Sequence, residues 1–212
     1  MRNYRTKRQN VFKSFFMAHI NLYICLIILF LLGIVVGAVH SGFVKDENLI
    51  ESFRYITDFM TALKTKKIDV DILLREFLWN NLKPGFLLWL LGLVILGIPL
   101  IFIYIAFEGY SLGFAFALVI KGLGGSKGTL LISLAVLPQE MIIIPVLLTL
   151  AVNSILFARA IWQKKERNTN IKFDIYRYIF LFIAGMVMLV AISMIQTYLQ
   201  MPLVKNLIGY IS

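Results

Sequence analysis

The chain has 212 residues, of which 60% are hydrophobic and 14% are aromatic. A water-soluble domain of this size cannot bury so much apolar surface, so we predict an all-α, polytopic helical membrane protein with about five transmembrane helices. The net charge of +10 would suit a nucleic-acid-binding protein, but no zinc-finger, helix-turn-helix or aromatic RNA-binding motif accompanies the basic residues. Their position beside apolar segments favours membrane orientation and contact with anionic lipid instead.

The first apolar run follows a basic segment, residues 1–19, that contains five Lys or Arg residues and no acid. This arrangement is similar to a signal peptide, but residues 20–39 are long enough to span a bilayer and end without a small-residue cleavage site. We therefore interpret residues 20–39 as a retained first crossing. The single cysteine, Cys25, lies in this crossing, so an intrachain disulfide is excluded.

Residues 41–83 form the longest polar segment and are predicted to be a helical extracytoplasmic loop. Apolar side chains recur there at alternating steps of four and three residues, as on one face of an amphipathic helix. A second helix is predicted from Asp69 or Asp71 to Pro84. The apolar faces could pack on the protein itself, lie on lipid or receive another protein. The candidate partner surface consists of Leu49, Phe53, Ile56, Met60, Phe77 and Leu78.

Four further crossings complete the predicted topology. The third is shorter than the bilayer core requires, because about 13 residues reach only about 20 Å as a helix. A re-entrant hairpin is the alternative, but it would move the second basic cluster to the wrong side of the membrane. Five crossings place both basic clusters, and the N-terminus, in the cytoplasm and the C-terminus outside. The predicted segments are the second crossing 86–107, the third 109–121, a long broken fourth 129–162, a basic cytoplasmic loop 163–177, the fifth 178–198 and an extracytoplasmic tail 199–212.

The fourth crossing contains one acidic residue, Glu140, between Pro138 and Pro145. Each proline removes an internal hydrogen bond, so we predict a break in this helix that is packed inside the bundle. An acid within a membrane span is costly and is by default a functional-site hypothesis. Glu140 could relay protons or pair with a lysine; alternatively, it hydrogen-bonds with Gln139 or a tyrosine and serves only the structure of the kinked helix. Glu108 is expected at a cytoplasmic helix end, where it faces water.

Two pairs of glycines have the spacing that lets helix backbones approach closely: Gly33 with Gly37, and Gly109 with Gly113. We expect them to pack helices within the chain, with self-association in a homodimer as the alternative. The glycine-rich run 122–128 lacks the residue order of a phosphate-binding loop and is predicted to be a turn. The sequence contains no zincin motif, no nucleophile elbow and no Cys–His pair, so we predict no catalytic, cofactor-binding or metal-binding residues.

Several sequence segments together indicate a family more specifically than hydropathy does. They are Leu-Gly-Ile-Val-Val-Gly-Ala at 32–38, Phe-Leu-Trp-Asn-Asn-Leu-Lys at 77–83, and the runs 90–102 and 109–114, with Leu-Pro-Gln and Ile-Pro in the fourth crossing. Over most of its length the chain resembles the stage II sporulation protein M family, five-span membrane proteins of endospore-forming bacteria.

This resemblance implies a role in engulfment, when the mother-cell membrane migrates around the forespore. Members of the family localise to the mother-cell side of the sporulation septum and recruit stage II sporulation proteins P and D, which are peptidoglycan hydrolases. The implied function is therefore a non-enzymatic membrane scaffold in the bacterial cell membrane. The alternative is a dimeric transporter or permease-like subunit that uses the broken fourth crossing around Glu140, because discontinuous helices and midplane acids recur at solute-binding sites.

Overall fold

All elements are helices in the part of the chain that the structure describes, residues 19–44, 54, 70–167 and 172–202 of a computed structural model. Four helical segments there are long and apolar enough to cross a membrane: Ile20–Phe43, Gly97–Leu123, Leu137–Trp162 and Asp174–Gln200. The predicted class, an all-α polytopic membrane protein, is confirmed. The helices are α1 (Ile20–Phe43), α2 (Val70–Gly92), α3 (Gly97–Leu123), α4 (Gly125–Ala135), α5 (Leu137–Arg167) and α6 (Lys172–Ile195), which continues into a π-helical turn, Gln196–Gln200.

Helix α5 is the centre of the bundle. Its most apolar stretch is 67% buried, against 22% to 28% for the other three spans. Most of its buried apolar side chains belong to one hydrophobic cluster that also contains Leu26 of α1, Leu88 of α2, Ile105 of α3 and Leu189 of α6. The outer helices expose rows of Leu, Ile and Val, as lipid-facing surfaces do, because lipid tails are as apolar as these side chains.

Helices α1 and α3 lie side by side and run in the same direction. Gly33 of α1 faces the backbone of Ala106, and Gly37 faces the backbone of Tyr110 and Phe114. Near the ends of the two helices, the Lys121 Nζ donates a hydrogen bond of 2.7 Å to the backbone carbonyl of Ser41. Residues further along α1 contact residues further along α3, so the two helices run parallel. The chain between them must therefore pass back to the end of the bundle where α1 began.

Helix α2 makes that return and packs antiparallel to α6. Near its start, the Phe77 carbonyl accepts a hydrogen bond of 3.3 Å from the Ser193 hydroxyl. At its end, the Trp89 carbonyl accepts a hydrogen bond from the Tyr178 hydroxyl, and Gly92 lies against the same tyrosine. Proline at position 84 does not end this helix as predicted; it lies inside α2, where neighbouring helices stabilise the interrupted backbone.

The predicted second and third crossings, 86–107 and 109–121, have the wrong boundaries. Residues 93–96 form a turn, closed by backbone hydrogen bonds from Leu93 N to the Leu90 carbonyl, 3.1 Å, and from Gly97 N to the Val94 carbonyl, 2.9 Å. The predicted second crossing is therefore divided between α2 and α3, and α3 continues through position 108 as one helix of 27 residues. Hydropathy could not locate this turn because all four of its residues are apolar.

The predicted fourth crossing is broken, but at Val136 and not between the two prolines. Helix α4 ends at Ala135 and α5 begins at Leu137. Pro138 has no backbone N–H and its ring clashes with the carbonyl four residues earlier, so the helix stops upstream of it. Pro138 lies in the first turn of α5, where the missing backbone N–H has no cost because it would have no partner within the helix. Pro145 lies inside α5.

Helix α4 and the start of α5 follow α3 in the opposite direction. Gly124, with φ of 82°, provides the reversal after α3, and Gly128 packs against Val119 and Ile120 of α3. The glycine-rich run is thus a turn followed at once by a helix. With 11 residues, α4 is about 16 Å long and reaches only part of the way through a bilayer.

The remaining predicted boundaries shift or lie outside the described residues. The first crossing continues past position 39 to Phe43, and α2 begins at Val70, within the predicted loop 41–83. The predicted cytoplasmic loop 163–177 is mostly helical, since α5 extends to Arg167 and α6 begins at Lys172. The segments 1–18 and 203–212 and the candidate partner residues Leu49, Phe53, Ile56 and Met60 lie outside the described residues.

Candidate functional site

A cavity of about 210 Å³ lies between α1, α2, α3 and α5 and contains two carboxyl groups, those of Glu108 and Glu140. We refer to it as the acid cavity. Its walls are mainly apolar, and α2 adds the side chains of Asn80 and Asn81. The break before α5 places Glu140 in the first turn of that helix, where its backbone N–H still bonds to the Val136 carbonyl at 3.2 Å.

Glu108 is not at a helix end facing water, as the sequence predicted. It lies in the middle of α3, is half-buried, and accepts a hydrogen bond from the Tyr104 hydroxyl one turn earlier. Its side chain and that of Glu140 line the same cavity from two different helices.

The partners that the sequence suggested for Glu140 are engaged elsewhere. Tyr104 donates to Glu108, and the Tyr110 hydroxyl pairs with the imidazole of His40. Lys121 bonds to a carbonyl of α1. Arg177 and Asp174, 3.4 Å apart, form an ion pair with each other outside the cavity. The acid cavity therefore holds two carboxyls without a basic partner among the described residues.

A second polar feature lies beside the acid cavity and joins three helices. The Asn81 amide donates hydrogen bonds of 2.9 Å to the Ser193 hydroxyl and 2.6 Å to the Gln196 side-chain oxygen. The Gln196 amide in turn donates a bond of 2.7 Å to the side-chain oxygen of Gln139. This amide network ties α2 and α6 to the first turn of α5, and it explains the position of Gln139. Buried polar groups of this kind are retained because each has a partner.

The sequence matches the family described as Stage II sporulation protein M over residues 25–199. The chain belongs to this family. It is therefore a multi-pass membrane protein of a sporulation family, and the match covers most of each candidate membrane span. No protein in the comparison with curated sequences matches the chain, and no solved structure does.

In this family member the four predicted glycines come together in one interface. Gly33 and Gly37 of α1 face the backbone of α3, while Gly109 and Gly113 of α3 face the carbonyl groups of Phe30 and Ile34. The two motifs thus pack against each other within one chain. Pro138 and Pro145 are both exposed, so of the four residues singled out near the break, Gln139 and Glu140 are the ones that turn toward the bundle interior.

Two of the predicted partner residues lie on α2 and face different surroundings. Phe77 is one helical turn before the buried Asn81 and shares its bundle-facing side. Leu78 lines a groove of about 790 Å³ along α2. Exposed Ile72 and Trp79 line the same groove, with 61% and 67% of their surface accessible. Trp79 was not among the residues predicted for the partner surface.

Glu108, Asn81 and Gln196 were not predicted as part of a site. A signal for Glu108 was present, because the runs on either side of it are both apolar and form one helix when read together. Nothing in the local sequence indicates that Asn81 and Gln196 meet, since they are joined only by the packing of α2 on α6. Among the described residues, no group of three or more His, Cys, Asp or Glu side chains could hold a metal ion.

Proposed function

We propose that this protein is a non-enzymatic scaffold that recruits peptidoglycan hydrolases to the sporulation septum and the engulfing membrane. The observation that carries the proposal is the family match over residues 25–199. By resemblance, the partners are stage II sporulation proteins P and D, which supply the wall chemistry. The protein would act from the mother-cell side of the septum, with its N-terminus in the cytoplasm and its C-terminus outside.

The α2 groove is the partner surface that we propose among the described residues. It lies on the half of α2 nearest Val70. Because α2 runs opposite to α3, this half is at the same end of the bundle as the last turn of α3. Ile72, Leu78 and Trp79 provide apolar contact area, while Asp71, Arg75 and Glu76 surround it with charge. An apolar centre with a polar rim, and an exposed Trp in particular, is typical of protein-binding surfaces.

The test is substitution of Ile72→Asp together with Trp79→Asp. Both side chains are more than half exposed, so the variant should fold and insert, because neither substitution removes a core contact. We expect it to lose co-purification of the two hydrolases from sporulating membranes and to lose their focus at the septum. Two charged residues in the apolar centre of an interface should weaken binding by at least tenfold.

Ser126→Asp is the matched control, because it adds a charge to an exposed position at the same end of the bundle but outside the groove. It should recruit both hydrolases as the wild-type protein does. If the Ile72→Asp, Trp79→Asp variant inserts normally and still brings down both enzymes, the groove is not the partner surface. If the wild-type protein brings down neither, the scaffold function itself is wrong.

The acid cavity favours a second candidate, a dimeric transporter or permease-like subunit. Its supporting observation is that two carboxyls on different helices share a cavity beside a helix break, an arrangement that recurs where membrane proteins bind ions or solutes. The four candidate spans of the described residues make a narrow pathway, so this function would need a second copy of the chain or another subunit.

Flux in proteoliposomes separates the two candidates. Proton and cation uptake would be measured for the wild-type protein, for Glu108→Gln and for Glu140→Gln, with Glu76→Gln on exposed α2 as the control. Uptake that both cavity variants abolish and Glu76→Gln retains would establish the transporter. Absence of uptake by a wild-type preparation that still binds the hydrolases would support the scaffold.

A further inference from the structure

Three helix ends meet at the end of the bundle opposite to the α2 groove. The rings of Phe157 and Tyr178 stack with centroids 4.0 Å apart and hold α5 against α6. Tyr23, in the first turn of α1, forms a side-chain hydrogen bond with Thr149 of α5. Arg159 follows Phe157 on α5, and Arg177 precedes Tyr178 on α6. His19 lies directly before α1, so all three basic residues belong to the helix ends that meet here.

The charges of both arginines reach His19. Burial and then the charges of Arg177 and Arg159 lower the pKa of His19 from its ordinary value of 6.5. Asp174 is the acid that pairs with Arg177, at 3.4 Å, and both side chains of that pair are partly exposed, so water screens their attraction. The first turn of α1 contains no acidic residue. Among these described side chains, two arginines therefore stand against one carboxylate.

We propose that Arg159, Arg177 and His19 form a binding site for the phosphate group of an anionic lipid. Guanidinium groups are suited to it, because their planar N–H donors match the oxygens of a phosphate. Basic sites between the cytoplasmic ends of membrane helices bind lipid headgroups in this way. The site goes beyond the proposed scaffold function and does not depend on it.

The surroundings of the cluster favour a lipid over free phosphate. Ile24 of α1 and Ile179 of α6 are 49% and 43% exposed just inside the ends of their helices, so acyl chains below a bound headgroup would meet apolar surface. Trp162, one turn beyond Arg159, is 55% exposed and suits the headgroup region of a bilayer. A lipid would thus contact the protein through both its phosphate and its tails.

Trp162 also provides the measurement. A variant with Trp79→Phe and Trp89→Phe leaves it as the sole tryptophan. This variant would be reconstituted in phosphatidylcholine with a minor fraction of phosphatidylglycerol, with bromine placed on the acyl chains of one lipid or the other. Preferential quenching by brominated phosphatidylglycerol gives its binding constant relative to phosphatidylcholine. We expect Arg159→Gln and Arg177→Gln each to lower this ratio about fivefold, since one basic residue near the surface contributes about 1 kcal/mol.

Lys172→Gln is the matched control. It removes one charge at the same end of α6, but position 172 is five residues from Arg177 and therefore about 140° around the helix. In this control, the binding constant of phosphatidylglycerol relative to phosphatidylcholine should stay within about twofold of that of the parent protein. If the control lowers this ratio as much as the arginine variants do, the lipid preference comes from diffuse surface charge. That result would overturn the site. Arg159→Lys and Arg177→Lys keep the charge and should retain part of the preference, provided that the protein folds.

Two further outcomes would also overturn the proposal, and neither needs an arginine variant to fold. One is equal quenching by the two brominated lipids in the parent protein, which would show that no anionic lipid is retained. The other is displacement of brominated phosphatidylglycerol by inorganic phosphate at physiological concentration, which would identify free phosphate as the ligand.

Discussion

Four glycine residues decide how closely α1 and α3 approach. A methyl group on Gly113 would overlap the carbonyl oxygen of Ile34 and lie 2.7 Å from its Cα atom, and one on Gly37 would lie 2.9 Å from the backbone N of Phe114. These are backbone atoms, which cannot move aside as the end of a side chain can. The helices are therefore in backbone contact along one face, as small residues at four-residue spacing permit.

We predict that Gly113→Ala and Gly37→Ala each destabilise the protein by about 1–3 kcal/mol, because the helices must separate to admit the added methyl group. Equilibrium unfolding in mixed micelles would measure the change in free energy. Gly42→Ala is the control: it lies on the same α1 helix, and the nearest atom to its methyl group would be the Lys121 Nζ at 3.9 Å. It should be neutral or slightly stabilising. Equal effects at positions 42 and 113 would contradict the interface.

The role assigned to Glu108 depends on where its helix begins and ends. At the end of a predicted 86–107 crossing it would face water, but in the middle of α3 it shares a cavity with Glu140. The sequence identified one intramembrane acid, and the described part of the structure has two that line one cavity. The pairing could not be predicted from local sequence, because it depends on the apolar turn at residues 93–96 and on the packing of α3 against α5.

At the scale of elements, the amide network is the polar connection between α2, α5 and α6. Asn81 is 9% exposed and Gln196 is 3% exposed, so neither can replace a lost partner with bulk water. The network includes the π-helical turn, which is an irregularity often found at functional positions. It fixes the register of α2 on α6 and also anchors the helix that begins after the Val136 break.

We expect Asn81→Ala to cost about 1–3 kcal/mol, since Gln196 and Ser193 lose a buried hydrogen-bond partner. A double-mutant cycle with Gln196→Ala should give a coupling free energy of about 0.5 kcal/mol or more. Thr129→Ala is the control, because it removes only an exposed local bond of 2.6 Å to the Gly125 carbonyl. Additive effects of Asn81→Ala and Gln196→Ala would show that the network does not act as a unit.

At the scale of the whole molecule, the helix directions assign each segment to one of two ends. The parallel packing of α1 and α3, with α2 between them in the chain, places His19, the turn at residues 93–96, the end of α5 and the start of α6 at one end. The turn at Gly124 and the start of α2 lie at the other. Basic residues concentrate at the first end, which is expected to be cytoplasmic because cytoplasmic segments carry an excess of Lys and Arg.

This orientation predicts the reactivity of introduced cysteines in a Cys25→Ser background. Ser126→Cys should react with a membrane-impermeant maleimide in intact protoplasts, whereas Lys172→Cys should react only after the membrane is permeabilised. Both positions are exposed, so access to the reagent, and not burial, decides the result. The reverse pattern would invert the topology and move the proposed partner groove into the cytoplasm.

By itself, the sequence determined the class of the protein, because composition and hydropathy report how much apolar surface must leave water. It also determined the family, the basic clusters and the presence of a break near Pro138, since a proline ring acts on its own backbone. The tertiary structure alone decided that α2 and α3 meet at an apolar turn, that the two glycine motifs face each other, and that Glu108 joins Glu140. These features arise from contacts between residues distant in the chain, and no local pattern of amino acids encodes which of two apolar faces will meet.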